Sequence, residues 1–248
     1  MNNAVVEQKP FISPFSMQHE NTLKWTNMTS KEIPMKNGML NVPDGIIDLV
    51  EDLAVVGVIG SVQCKRLYLR SNPAKKISKA LELGILKKHE MLRNNQIIPL
   101  YTLGATGMRL AGLDYEEEFN YWKKYSNEDV LKRLVFFQLY GQMKDIDKMR
   151  VLPSENPFLA NIEIQGNDFS ILILRGNESV VQNFFRYEET IPERIVIVTE
   201  GLNHIAPIQD VLKPYADRIR LTTDERLKMP FEDMFYLYQD NKWIIENS

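Results

Sequence analysis

Between Asn72 and Gly84 the chain marks both ends of a helix, and that stretch constrains how its neighbours can be read. Asn72 stands at the N-cap and Pro73 at the first helical position, where a missing N–H costs nothing. Gly84 lies just past the end, where a left-handed residue closes a helix. Upstream, Pro43-Asp44 opens a run in which Ile46, Ile47, Leu49, Val50, Leu53 and Ala54 recur at helical spacing, with Gly57 placed to stop it. Gly60-Ser61 offers a cap for a helix of about two turns carrying Val62, Leu67 and Tyr68, and Arg70-Ser71-Asn72 makes the next turn. Downstream, Ile85–Leu92 and Ile97–Leu103 are strand-like runs separated by Arg93-Asn94-Asn95-Gln96, which predicts a β-hairpin. Pro99 has no amide hydrogen, so the second strand is expected to keep a free edge there. Gly104–Leu110 starts a fourth helix.

Helix, helix, helix, hairpin, helix is the order of a winged helix-turn-helix, expected over residues 43–112. Charge supports this reading. The whole chain has a net charge of −3, but residues 60–110 carry ten Lys/Arg against Glu82 and Glu90, a net of +8. Residues 151–248 carry a net of −7. A basic block inside an acidic chain is a local electrostatic footprint. On the punctuated helix, Ile77, Ala80 and Leu81 fall on one face, and Lys75, Lys76 and Lys79 project from another with Ser78 beside them. A duplex presents one negative charge per ~1.7 Å of its axis, so a helix built this way suits a groove. Arg66 and Arg70 before it, and Lys87, Lys88 and Arg93 in the hairpin, are the expected flanking contacts to the sugar–phosphate backbone, and Ser71, Asn72 and Asn94 complete the expected DNA-binding set.

Two stretches carry a resemblance. Ala80-Leu81-Glu82-Leu83-Gly84-Ile85-Leu86 resembles the end of a bacterial winged-helix recognition helix, and Tyr101-Thr102-Leu103-Gly104-Ala105-Thr106-Gly107 is similar to a Y-x-L-T-x-x-G wing-to-helix junction. That junction is found in the replication-relaxation family of plasmid and mobile-element proteins; the usual Thr is Gly104 here. The resemblance implies a winged helix followed by a compact α/β half, DNA-facing roles for Lys75, Lys76 and Lys79, and a wing tip at Arg93 and Asn94.

The rest of the chain divides around this unit. Residues 1–42 read as an arm whose Phe11, Phe15 and Trp25 dock elsewhere. Residues 113–152 read as a helical connector, with a Ser126/Asp129 capping box, Phe119 and Trp122 on one face, and aromatics on several faces that would suit a dimer. After Pro153 short strands alternate with helices: Asn161–Gln165, a turn at Gly166-Asn167-Asp168, Phe169–Leu174, helical Glu178–Tyr187, a buried strand Arg194–Thr199, helical Ile205–Ala216, and strand-like Arg218–Thr222, Met234–Tyr238 and Lys242–Ile245. The expected fold class is therefore α/β in two domains, with a small mixed-sheet domain over 153–248 for assembly or sensing.

Catalysis finds little support in the residues. Glu163-Ile164-Gln165 with Asp168 approaches a nuclease carboxylate pair but places Gln where a Lys is wanted. His19, His89 and His204 are scattered, and the lone Cys64 can form neither an internal disulfide nor a multi-cysteine metal site. His89, on the first wing strand, is expected to face solvent or a phosphate, and Cys64 to fill a small gap in the helical core. There is no P-loop, and Thr199–His204 is too poor in glycine for a cofactor loop. No enzyme activity, cofactor or metal is expected. The expected partners are double-stranded DNA and a second copy of the chain, with no membrane, in a cytoplasmic setting. The rival readings are a metal-dependent nuclease or relaxase-like enzyme and a protein–protein adaptor.

Overall fold

The computed structural model describes residues 12–29, 41–113, 119–144 and 149–246. Part of the expected arm, Phe11 included, lies outside these residues, as do 114–118 and 145–148 of the expected connector.

A strand, β1 (Asn21–Lys24), is followed by α1 (Ile46–Val56), β2 (Ile59–Gly60), α2 (Ser61–Tyr68) and α3 (Pro73–Glu82), then β3 (Leu86–Arg93), β4 (Gln96–Leu103) and α4 (Ala105–Leu110). The stop after α3 is a backbone device. Gly84 takes φ +66°, its N–H donates to Leu81 O at 3.1 Å, and the N–H of Ile85 reaches back to Ala80 O at 2.9 Å. Gly57 ends α1 in the same region of φ, at +94°, donating to Leu53 O at 2.8 Å. The β3–β4 turn is Asn94-Asn95, both at positive φ (+47° and +62°), which asparagine tolerates better than most residues.

These strands form a four-stranded sheet in the order β1-β3-β4-β2. β2 covers β4 only at Ile59↔Tyr101 and Gly60↔Leu100, which leaves the β4 edge unpaired at Pro99. On the other side β1 runs antiparallel along β3 from Asn21↔Arg93 to Lys24↔Glu90. Neither β1 nor β2 has enough residues for a period to show, and only the partner strand defines them.

A 3-10 turn at Tyr121–Lys124 leads to α5 (Asn127–Met143). Ser126 Oγ accepts from the Asp129 N–H at 3.1 Å, and Asp129 Oδ2 accepts from the Ser126 N–H at 3.0 Å, closing the capping box. Phe119 and Trp122 part company: the first is 40% exposed and the second fully buried. Val130, Leu131, Leu134, Val135, Phe136, Phe137, Leu139, Tyr140 and Met143 are all buried. An all-round apolar helix is one that lies between layers. Leu134 packs with Val58, Met91 and Leu100 beside the first sheet, while Phe136 and Phe137 share a cluster with Ile162, Ile171 and Val196 of the second. The aromatics expected to leave a sticky dimer face are therefore consumed inside the chain.

The end of the expected helical connector is instead a strand, β5 (Met149–Leu152), paired antiparallel with β6 (Ala160–Ile164). Then come β7 (Asn167–Ile173), α6 (Glu178–Tyr187), β8 (Ile195–Thr199), α7 (Gln209–Leu212), β9 (Ile219–Thr223), β10 (Tyr236–Gln239) and β11 (Lys242–Ile245). They make a seven-stranded mixed sheet, β11-β10-β9-β8-β7-β6-β5, with β7, β8 and β9 parallel. The described residues thus form a mixed α/β fold of seven α-helices and two sheets.

Two boundaries differ from the sequence reading for local reasons. The β6–β7 turn is Gln165-Gly166 (φ +51° and +76°), so Asn167 and Asp168 join the strand. The helix expected over 205–216 is broken into α7 and 3-10 turns at Ala206–Ile208 and Lys213–Arg218, where Pro207 and Pro214 lack the N–H a longer helix would use.

Candidate nucleic-acid interface

On α3, Ile77 and Ala80 are 5% and 0% exposed and hold the helix to the core. Lys75 and Ser78 are exposed, and Lys76 and Lys79 are half-exposed. Lys79 Nζ lies 2.8 Å from Glu82 Oε1, a surface pair of the kind worth about 0–1 kcal/mol, which an incoming phosphate can replace. Lys76 Nζ donates to Asp44 O at 3.2 Å, at the entry to α1. Ser71 and Asn72 are exposed at the helix start, with Arg66 and Arg70 exposed before them. Lys88 and Asn94 are exposed on the hairpin, and Lys87 is half-buried.

Arg93 is turned away from this set. Its Nε donates to Asn21 Oδ1 at 2.8 Å, its Nη1 donates to Pro14 O, and burial lowers its pKa. The expected wing-tip contact is a clasp for the arm. The tip itself is carried by Asn94 and Asn95, both exposed. The reason is β1, which covers this strand from Asn21↔Arg93 to Lys24↔Glu90 and is too short to show a period of its own.

His89 also differs from expectation. It is 0% exposed, set against Trp25 at 4.9 Å and Trp122 at 4.8 Å between ring centroids. The Thr26 N–H donates to His89 Nδ1 at 2.9 Å, so Nδ1 carries no proton. The ring hydrogen then sits on Nε2, 2.9 Å from Thr102 Oγ1, which accepts it. Burial, helped by the nearby Lys87 charge, lowers its pKa to about 3. This histidine is a neutral lock between arm and hairpin and meets no phosphate. Cys64 is fully buried and burial pushes its thiol up to about 12, with the Lys65 charge only a partial offset.

Glu163 and Asp168, the carboxylates nearest a nuclease pair in the sequence, both lie in the second sheet. Glu163 lies opposite Asp168 in the β6–β7 ladder, but Arg150 Nη2 holds it at 2.6 Å. Among the described residues no group of three or more His, Cys, Asp or Glu is gathered as a metal would require. At the carboxyl ends of the parallel strands, where α/β sheets often bind ligands, Arg175 pairs with Asp224, both 1% exposed at the side chain, and Ser13 Oγ donates to the same carboxylate.

One grouping escaped the sequence reading. Arg66 and Arg70 share a cleft of about 320 Å³ with Lys144, at the end of α5. Positions so far apart carry no local signal of their meeting. Among the described residues no helix is long and apolar enough to cross a membrane. No protein-family model matches the chain, and no curated protein is significantly similar to it.

Proposed function

We propose that the chain binds double-stranded DNA through a winged helix built from α1 to α4, with α3 in the major groove. The observation that carries this reading is the division of α3: Ile77 and Ala80 face the core while Lys75, Lys76, Ser78 and Lys79 lie on its accessible side. The order α1-β2-α2-α3-β3-β4, with a three-stranded antiparallel ladder, supports it. The N-terminal turn of α3 adds unpaired N–H groups and a partial positive charge where a phosphate would approach. Asn94 and Asn95 at the hairpin tip lie against the backbone or minor groove. The acidic second half, repelled by the duplex, orients the basic face toward it.

The biological role we infer is control of transcription, or of the replication or transfer of a plasmid or mobile element, as the Tyr101–Gly107 junction suggests. A twofold-symmetric site calls for a homodimer, and with α5 buried the pairing surface falls to the second half. The test is an electrophoretic shift with duplex selected from random sequence. The Lys75→Glu/Lys76→Glu/Lys79→Glu protein should lose binding while its far-ultraviolet circular dichroism is unchanged. Undiminished binding by the triple variant would overturn the reading. A folded wild-type protein that shifts no duplex would favour an adaptor instead.

A further inference from the structure

The cleft shared by Arg66, Arg70 and Lys144 is completed by Leu67, Gly141 and Gln142, so its lining among the described residues includes three cations; Lys144 also borders the adjoining cleft of Asp48, Glu51 and Asp52. The two arginines come from α2 and the turn after it, and the lysine from the far end of α5. Arg70 stands two residues before Asn72, the cap of α3.

Gly141 is the most telling wall. It lies inside a seventeen-residue helix, where glycine costs about 1 kcal/mol relative to alanine. A Cβ at this position would lie 2.7 Å from Arg66 Nη2 and 3.0 Å from Leu67 Cδ2. The helix therefore has a notch where the Arg66 guanidinium rests. Gln138, nearly one turn earlier, accepts from the same Nη2 at 3.3 Å. Across the cleft Lys144 Nζ sits 3.9 Å above the Tyr68 ring. Two of the three cations are thus held in place before any ligand arrives, which lowers the entropy lost on binding. A planar guanidinium fork with two further cations matches a phosphate in charge and in hydrogen-bonding geometry.

We infer that this cleft is a phosphate seat, in which Arg66, positioned by the Gly141 notch, joins Arg70 and Lys144 to grip a backbone phosphodiester of the bound duplex. The source of the phosphate rests on the DNA-binding reading above; the seat itself does not. It extends the footprint beyond the winged helix onto α5, the helix between the two sheets.

The test is fluorescence anisotropy of labelled duplexes of several sequences, titrated at a series of NaCl concentrations. Gly141→Ala removes no charge and raises helix propensity, yet should displace the Arg66 guanidinium. It should lower the slope of log K against log[NaCl] by about 0.9, the signature of one lost phosphate contact, equally for every sequence and with no fall in melting temperature. Lys144→Gln should act in the same way, and Lys144→Arg should restore the slope. If Gly141→Ala and Lys144→Gln leave slope and affinity unchanged while the α3 triple variant still abolishes binding, the seat is refuted and the DNA reading stands. If the wild-type protein binds no duplex, the DNA reading falls, and inorganic pyrophosphate titrated calorimetrically decides the seat. Saturable binding lost in Lys144→Gln assigns it to a free phosphorylated ligand, and no binding refutes it.

Discussion

His89 in the four-stranded sheet and Arg175 at the end of the seven-stranded sheet are both hidden from water, 0% and 2% exposed, yet one is held neutral and the other charged. His89 gives both ring nitrogens to hydrogen bonds that only the neutral ring can make, one received from Thr26 N–H and one donated to Thr102. Arg175 keeps its charge by pairing with Asp224 and by donating to Leu174 O at 2.6 Å, although its Nε has no hydrogen-bond partner. The first arrangement is vulnerable to protons and the second to loss of the partner. Both are closed by the same segment. The arm supplies Thr26 to the histidine and Ser13 to the aspartate, and Arg93 ties down Pro14 between them. Residues 12–29 therefore act as a strap across the two sheets.

The largest effect expected from this contrast is at Asp224. Asp224→Ala leaves a guanidinium buried without its counter-charge, and removal of one partner of such a pair costs about 3–5 kcal/mol. Urea unfolding followed by tryptophan fluorescence measures it. Replacing both partners with apolar residues, Arg175→Met with Asp224→Leu, should cost far less, because no charge is then stranded. A loss below about 1 kcal/mol in Asp224→Ala would mean that water reaches Arg175, and the contrast with His89 would fail.

Acid is expected to act at His89. Its folded pKa, about 3, lies below the ordinary 6.5, so between these values the unfolded chain binds the extra proton. The stabilisation is complete above about pH 6.5 and is lost as the pH falls, at about 1.4 kcal/mol per unit, or roughly 2 kcal/mol by pH 5. Asp52 works in the opposite sense. Burial raises its carboxyl above the usual range, despite the hydrogen bond from Tyr68, so acid there favours the folded state. The quantity to compare is therefore the difference in stability between wild type and His89→Gln across pH 5 to 7. A difference that stays constant over that range would show that the folded ring takes up protons as readily as the unfolded one, and the neutral lock would be refuted.

Why the histidine and the strap were illegible in the sequence follows from what sequence carries. Helix stops at Gly57 and Gly84, the Ser126/Asp129 box and the unbroken run Ile195–Thr199 are local, and each becomes an element within a residue or two of its expected place. β1, β2 and β5 have two to four residues each and exist only through partners far along the chain. Taken alone, β3 alternates as an exposed hairpin would, which puts Arg93 and His89 on the wing surface; only β1 lying along it, and Trp25 and Trp122 closing over it, cover them. Of the candidate interface, the α3 lysines were legible because helical period places them. The Lys144 and Gly141 contribution was not, since a glycine inside a helical run looks the same whether it weakens a helix or makes room for a guanidinium.

The smallest effect bears most directly on the strap. Ser13 Oγ donates to Asp224, and a hydrogen bond to a buried charge contributes about 1.5–3 kcal/mol at most, so Ser13→Ala should cost about 1–2 kcal/mol. That cost alone would not show that the serine acts through the aspartate, because Ser13 is also buried and its Oγ accepts from the Phe15 N–H at 2.9 Å. A double-mutant cycle with Asp224→Ala separates the two contributions. If the strap is held at this end by the carboxylate, Ser13→Ala costs only its Phe15 bond once Asp224 is gone, and the coupling is about 1 kcal/mol. Hydrogen exchange should report the same event from the other sheet. Loosening Ser13 should raise exchange at the Thr26 N–H, which His89 otherwise protects. Additive costs and an unchanged Thr26 amide would show that the arm is fastened to each sheet separately, by β1 and Arg93 on one and by Ser13 on the other, with nothing passing between them.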